Sequence, residues 1–173
     1  MTYLRNIQNA MTDISKNKSV LFLGQSVKVP GNLLYKSLIN VKNSQKIELP
    51  IIEETQMGMA LGLSLNGFIP VSCYPRFDFF LLALNQFVNH LDKFEDISSG
   101  EFKPFVLTRV LVGSKKTIDA GPQHTQDYSI ALKFMLKNTK IIKLKNKNQI
   151  IKSYKNALKE KKSTLFIEYS DKY

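Results

Sequence analysis

Short runs of β-prone residues alternate with longer stretches of helical spacing along the whole 173-residue chain. The β-rich runs fall at 20–24, 47–49, 68–74, 105–112, 140–144 and 164–169. Helical patterns occupy 3–15, 32–40, 54–65, 79–93, 127–137 and 148–161. Strands separated by helical crossovers must pair in parallel, which requires a sheet covered on both faces. The expected fold is therefore α/β, a doubly wound, mostly parallel sheet of about six strands in one domain spanning 1–173. In such sheets ligands bind outside the carboxyl ends of the strands. Chemistry is expected in the loops that follow Gly24, Leu49, Tyr74 and Val112.

Composition narrows the function class. Apolar residues make up 43 % and charged residues 23 %, the balance of a globular chain. No run approaches the ~18 consecutive apolar residues of a membrane helix, and the first residues lack the pattern of a secretory signal. A cytoplasmic, non-membrane protein is expected. Cys73 is the single cysteine, which excludes an internal disulfide framework and a cysteine-rich zinc site. The net charge of +11 is concentrated: residues 133–162 contain 11 lysines and one acid, Glu160, whereas the rest of the chain has 14 bases against 13 acids. Only Arg5, Arg76 and Arg109 are arginines, and arginine is the residue that planar base and phosphate recognition favours. The lysine block is expected to be a solvated face without specific nucleic-acid recognition.

Two helical segments stand out. Residues 79–93 are apolar nearly all round, which predicts burial on several sides and, in a chain of this size, cover from a partner subunit. The helix after Glu53 carries Gly58 and Gly62 one turn apart, and glycine in a helix costs roughly 1 kcal/mol against alanine. Either tight core packing or close backbone approach to another helix or a ligand would offset that cost. Taken alone, Glu53-Glu54 fits a helix start, where the dipole favours acids, and His124 fits an exposed loop histidine. Cys73 fits a small buried apolar residue. The spacing of His, Asp and Glu gives no metal site, and there is no glycine-rich phosphate loop.

The order of the pieces resembles a known family. Leu49-Pro50-Ile51-Ile52-Glu53, then Gly58 and Gly62, then Asn66-Gly67, is similar to the aminopyrimidine-binding domain of thiamine diphosphate enzymes. The nearest resemblance is to the beta subunit of the decarboxylating component of 2-oxoacid dehydrogenases, in the transketolase-like superfamily. Phe77-Asp78-Phe79 followed by Asn85-Gln86 and Asn89 resembles the next segment of that subunit, and Gly121-Pro122-Gln123-His124-Thr125-Gln126 resembles its active-site histidine loop. The resemblance implies that Glu53 hydrogen-bonds the far ring nitrogen of the aminopyrimidine of thiamine diphosphate and so favours the imino tautomer, whose imino nitrogen takes the thiazolium proton. It implies that Phe79, with Phe77, packs on that ring, and that His124 handles substrate and acyl intermediates. Gln25 is the corresponding site-lining residue after the first strand: relatives usually carry an acid where Gln25-Ser26 stand, and several have glutamate at Cys73.

The diphosphate-binding half of the family carries Gly-Asp-Gly followed by paired asparagines that hold magnesium; no such pattern occurs in these residues, and the expectation is a single pyrimidine-binding domain without that half or the C-terminal transketolase domain. The resemblance thus implies a split enzyme. A separate alpha-type subunit would supply the diphosphate and Mg2+ site, in a hetero-oligomer such as an alpha2beta2 assembly acting on a small 2-oxoacid by decarboxylation or acyl or aldehyde transfer. The alternatives are a transketolase-like or sulfopyruvate-decarboxylase-like split enzyme, and a non-catalytic regulatory or anion-binding module.

Overall fold

The computed structural model describes residues 1–116 and 118–173. The chain opens with α1 (Tyr3–Ile14), started by the Thr2 side chain, which accepts from the Arg5 backbone N–H. Then follow β1 (Val20–Gly24), α2 (Leu33–Ser37), β2 (Lys46–Glu48), α3 (Glu53–Leu65) and β3 (Ile69–Tyr74). Short turns come next: α4 (Phe77–Phe80), a 3-10 turn (Leu81–Ala83), a π-helical segment (Asn85–Leu91) and α5 (Phe94–Ile97). β4 (Leu107–Val112), α6 (Ser129–Met135), β5 (Lys140–Lys143), α7 (Ile150–Glu160) and β6 (Thr164–Tyr169) complete the order.

The six strands form one sheet in the order β2-β1-β3-β4-β6-β5, with every pairing parallel. The doubly wound α/β expectation therefore holds. α1, α2 and α7 cover one face around Ile7, Met11, Phe22 and Tyr154, while α3, α6 and the segment after β3 cover the other around Met57, Phe80, Phe87 and Ile167. α1 buries Tyr3, Ile7, Ala10, Met11 and Ile14, the three-to-four spacing of a single apolar stripe. Because β2 and β3 lie on opposite sides of β1, the strand order reverses at the carboxyl ends of β1 and β3, where open α/β sheets hold their ligands.

One expectation from the sequence is corrected. Residues 79–93 are not one α-helix but a succession of α, 3-10 and π turns. Phe80, Ala83, Phe87, Val88 and Leu91 point into the core, yet Leu82 is 66 % exposed, and Asn85 and Asn89 are exposed too. The segment is thus buried on one side only within this chain. A polar ladder lines the outer side: Asn85 Nδ2 donates to Glu54 Oε1 (3.1 Å), Asn89 Nδ2 to Asn85 Oδ1 (3.1 Å), and Lys93 Nζ to Asn89 Oδ1 (3.1 Å). The glycines of α3 are not explained by close backbone approach inside the chain. A methyl on Gly62 would meet nothing within 4 Å, and one on Gly58 only the Gln86 side chain at 3.7 Å.

The sheet is held at its centre by a buried charged cluster. Arg109 on β4 forms a two-pronged pair with Glu168 on β6 (Nε to Oε1 2.7 Å, Nη2 to Oε2 3.0 Å), and both side chains are fully buried. Tyr154 donates to Glu168 Oε1 (3.0 Å), Tyr173 donates to Oε2, and Arg109 Nη2 also donates to Ser37 Oγ (3.0 Å). Burial alone would favour a neutral guanidine, but Glu168 beside it holds the Arg109 pKa well above its ordinary value. Cys73 lies against the same guanidinium, 4.0 Å from Nη1, and burial pushes its thiol up to about 11. It is a protonated core residue.

Lysines of the 133–162 block are distributed over α6, β5 and α7. Four of them meet acids, in the pairs Lys137–Asp96, Lys140–Glu160, Lys143–Asp127 and Lys155–Asp13. No helix among the described residues is long and apolar enough to cross a membrane.

Candidate active site

The carboxyl edge of the sheet gathers the loops after β1, β2, β3 and β4, and with them most of the residues singled out from the sequence. Gly24 ends β1 at φ +145°, and a methyl there would stand 2.2 Å from the Cys73 carbonyl oxygen of β3. Only glycine lets β1 and β3 end so close together. Gln25 follows, half-buried, at this edge. The loop beyond it is pinned from β2, because the Glu48 carboxylate accepts from the backbone N–H groups of Ser26 (2.5 Å) and Lys28 (2.6 Å).

Glu53 is the first residue of α3 and is 7 % exposed. Its placement does not depend on its own side chain. Tyr74 Oη donates to the Glu53 backbone carbonyl (3.3 Å), and one turn on, the buried Gln56 amide donates to Ser72 Oγ (3.0 Å) and the Cys73 carbonyl (3.0 Å). A buried carboxyl at a helix start, where the dipole favours negative charge, is thereby fixed at the edge by its neighbours.

The segment after β3 brings in the aromatic residues. Tyr74, Phe80 and Phe87 form a chain of edge-to-face rings at 4.9 Å centroid spacing, a favoured aromatic geometry that anchors α4. Phe77 is wholly buried behind Phe80 and Tyr128, with ring centroids at 6.1 and 5.6 Å. Phe79 is half-buried and lies edge-to-face with the His124 ring at 5.3 Å. Of the two phenylalanines, Phe79 is the one placed beside another candidate residue, and Phe77 supports the element from behind.

His124 reaches the edge on a loop fastened by two glycines. Gly121, at φ +80°, lets the chain turn so that the His124 N–H donates back to its carbonyl (3.1 Å). Gly113, directly after β4, donates its N–H to the His124 carbonyl (3.1 Å), and a methyl on Gly113 would stand 2.0 Å from that oxygen. His124 Nδ1 is buried and has no hydrogen-bond partner among the described residues. Gly113→Ala is accordingly expected to displace the loop and to lower stability by about 1–3 kcal/mol, the usual cost of overpacking. Thermal unfolding and the ring-proton resonances of His124 would report this; unchanged resonances would show that Gly113 does not position the histidine.

Among the described residues no three or more His, Cys, Asp or Glu side chains gather as a metal site. A cavity of about 490 Å³ opens between α6 and β5, lined in part by Ser129, Ile130, Leu136 and Ile141, and none of the candidate residues lines it. Sequence reasoning passed over Gln56, Glu48, Gly113 and Arg76. The glycine directly after a strand run was the available signal for Gly113; the other three act through contacts distant in sequence.

No protein-family model matches the chain. Among curated proteins it is 27 % identical over 160 residues to the pyruvate dehydrogenase E1 component subunit beta of Cyanidium caldarium, covering 91 % of this chain and 48 % of that protein. It is 29 % identical over 114 residues to the 3-methyl-2-oxobutanoate dehydrogenase subunit beta of Mycobacterium tuberculosis, covering 64 % of this chain and 33 % of that protein. The chain thus spans less than half the length of these relatives. Among solved structures, an inactive beta4 tetramer of a split-gene transketolase superposes with a TM-score of 0.73 at 17 % identity, over 98 % of this chain and 51 % of that one. Sequence and fold agree: the chain is similar in sequence to the beta subunits of 2-oxoacid dehydrogenases and has a transketolase-like fold.

Proposed function

We propose that the chain is the aminopyrimidine-binding half of a thiamine diphosphate-dependent enzyme of the 2-oxoacid dehydrogenase type, completed by a separate diphosphate-binding subunit. The observation that carries this reading is the buried Glu53 carboxyl at the start of α3, on the same sheet edge as the Phe79–His124 pair. A carboxyl and a half-open aromatic ring on one edge of the sheet suit a flat, nitrogen-bearing heteroaromatic group, which needs one acid for a ring nitrogen and one apolar surface for its face. Thiamine diphosphate, when bound, supplies the electron sink for cleavage next to a carbonyl. Glu53 holds and returns a proton at its carboxyl, Phe79 forms an apolar wall that keeps water away with Phe77 supporting its element from the core, and His124 faces the substrate. Gln25 lines the site from the end of β1. Mg2+ and the diphosphate belong to the partner, an alpha-type subunit in a hetero-oligomer, and the substrate is a small 2-oxoacid whose acyl or aldehyde unit is released or transferred.

Calorimetric titration with thiamine diphosphate and Mg2+ tests this. The chain alone is expected to bind poorly, because the pyrimidine is one end of the cofactor only. Co-assembled with a chain bearing the Gly-Asp-Gly and paired-asparagine signature, it is expected to bind one cofactor per site. A stable complex that takes up no cofactor would overturn the proposal.

A further inference from the structure

Arg76 is a charged side chain that the fold leaves without a counter-ion. It follows Pro75 after β3, in extended backbone just ahead of α4, and its side chain folds back against Gly113 at the end of β4. Nη1 donates to the adjacent Pro75 carbonyl (2.8 Å). Nε is buried and has no hydrogen-bond partner, and no carboxylate oxygen pairs with the guanidinium among the described residues. The contrast within the chain is direct. Arg5 is exposed to water, and Arg109, fully buried where Arg76 is only partly so, is matched by Glu168 and Ser37. A guanidinium keeps its charge at any ordinary pH, and burying its donors without an acceptor is costly.

The position of this unmet charge is informative. Gly113 is the residue that binds the His124 carbonyl, and a methyl on it would stand 3.5 Å from Arg76 Nε, so the guanidinium and the histidine loop pack on the same glycine. On that histidine loop, His124 Nδ1 is a second buried polar atom without a partner among the described residues. A planar fork of donors beside a histidine, at the carboxyl edge of a parallel sheet, is suited to a planar or tetrahedral oxyanion.

We propose that Arg76 is the oxyanion anchor of the substrate site, taking the carboxylate of a small 2-oxoacid or the phosphate of a phosphorylated substrate beside His124. The assignment rests on the functional reading above and names what that reading leaves open, the group that holds the substrate's negative end.

Arginine-selective 15Nε labelling tests it on the full chain, because only three arginines contribute signals. Pyruvate and inorganic phosphate are titrated separately, with chloride at matched ionic strength as the control. A saturable shift of the Arg76 Nε–H signal with pyruvate, and none at Arg5 or Arg109, is expected for a carboxylate anchor; the same response to phosphate alone assigns the phosphate. Arg76→Gln is expected to weaken the saturable binding about 10- to 150-fold, the range for losing a charge-assisted hydrogen bond, and Arg76→Lys to restore only part of it. Shifts that never saturate, that match those with chloride, or that appear equally at Arg5 would overturn the anchor. Neither titration contains thiamine diphosphate. Absence of saturable oxyanion binding to the unsubstituted chain, with cofactor uptake by the complex intact, therefore refutes the anchor alone, and the reverse result refutes the cofactor reading alone.

Discussion

Exchange of the thiazolium proton in the assembled complex is expected to slow by about 100- to 10,000-fold when Glu53 is replaced by Gln, the usual span for removing one general acid–base group. Glutamine keeps the shape and can still hydrogen-bond, but it can neither share nor return a proton. The complex itself is expected to survive. The Glu53 contact seen with Tyr74 uses the backbone carbonyl, and α3 is tied to the sheet by Gln56, so the substitution removes chiefly the charge–dipole contribution at the helix start, at most about 1 kcal/mol. Proton exchange followed by NMR in deuterated buffer, alongside turnover and the mass of the complex, separates the outcomes. Wild-type exchange rates in the variant would show that Glu53 is not the activating acid. Failure to assemble would make it a structural residue.

Truncating Arg109 to Met is expected to lower stability by about 3–5 kcal/mol, because it strands a buried carboxylate. Glu168 would keep Tyr154 and Tyr173 as donors but lose both guanidinium contacts and its counter-charge. For a chain of this size that corresponds to a fall in Tm of roughly 6–20 °C. Combining Arg109→Met with Glu168→Leu removes both charges and is expected to recover a large part of the loss, since apolar replacements of whole buried pairs are often neutral. Denaturant unfolding of the two variants decides the matter. A single variant within 1 kcal/mol of wild type would show that the pair contributes little beyond filling space.

The architecture was legible because each strand is a compact β-rich run closed by a turn signal. β1 and β6 occupy the expected residues, and the other strands differ by one to a few residues at their ends. What periodicity could not show was the size of the helical turns after β3. Apolar residues spaced three and four apart satisfy an α-helix, yet here the edge-to-face packing of Tyr74, Phe80 and Phe87 accompanies 3-10 and π turns. The candidate site was legible in part. Gln25 and His124 lie in loops at the carboxyl edge, and Glu53 and Phe79 in the helical turns that follow β2 and β3 there. Phe77, by contrast, is withdrawn into the core. Arg76 escaped notice because its significance is a missing partner, and the Gly113 contact that places it joins residues from different strands. The exposed Leu82 and the open side of Gly62 are equally invisible to a pattern that records only apolar content.

The strand order also has a consequence for biosynthesis. β6 is translated after β5 but lies between β4 and β5 in the sheet. Until it emerges, β5 has no neighbour to pair with, β4 presents an open edge, and Arg109 waits without Glu168 in what becomes the middle of the molecule. An unpaired edge beside an uncompensated charge is a template for wrong pairing and a barrier to early collapse. Completing the sheet between β4 and β5 therefore requires β6, the last strand in the sequence.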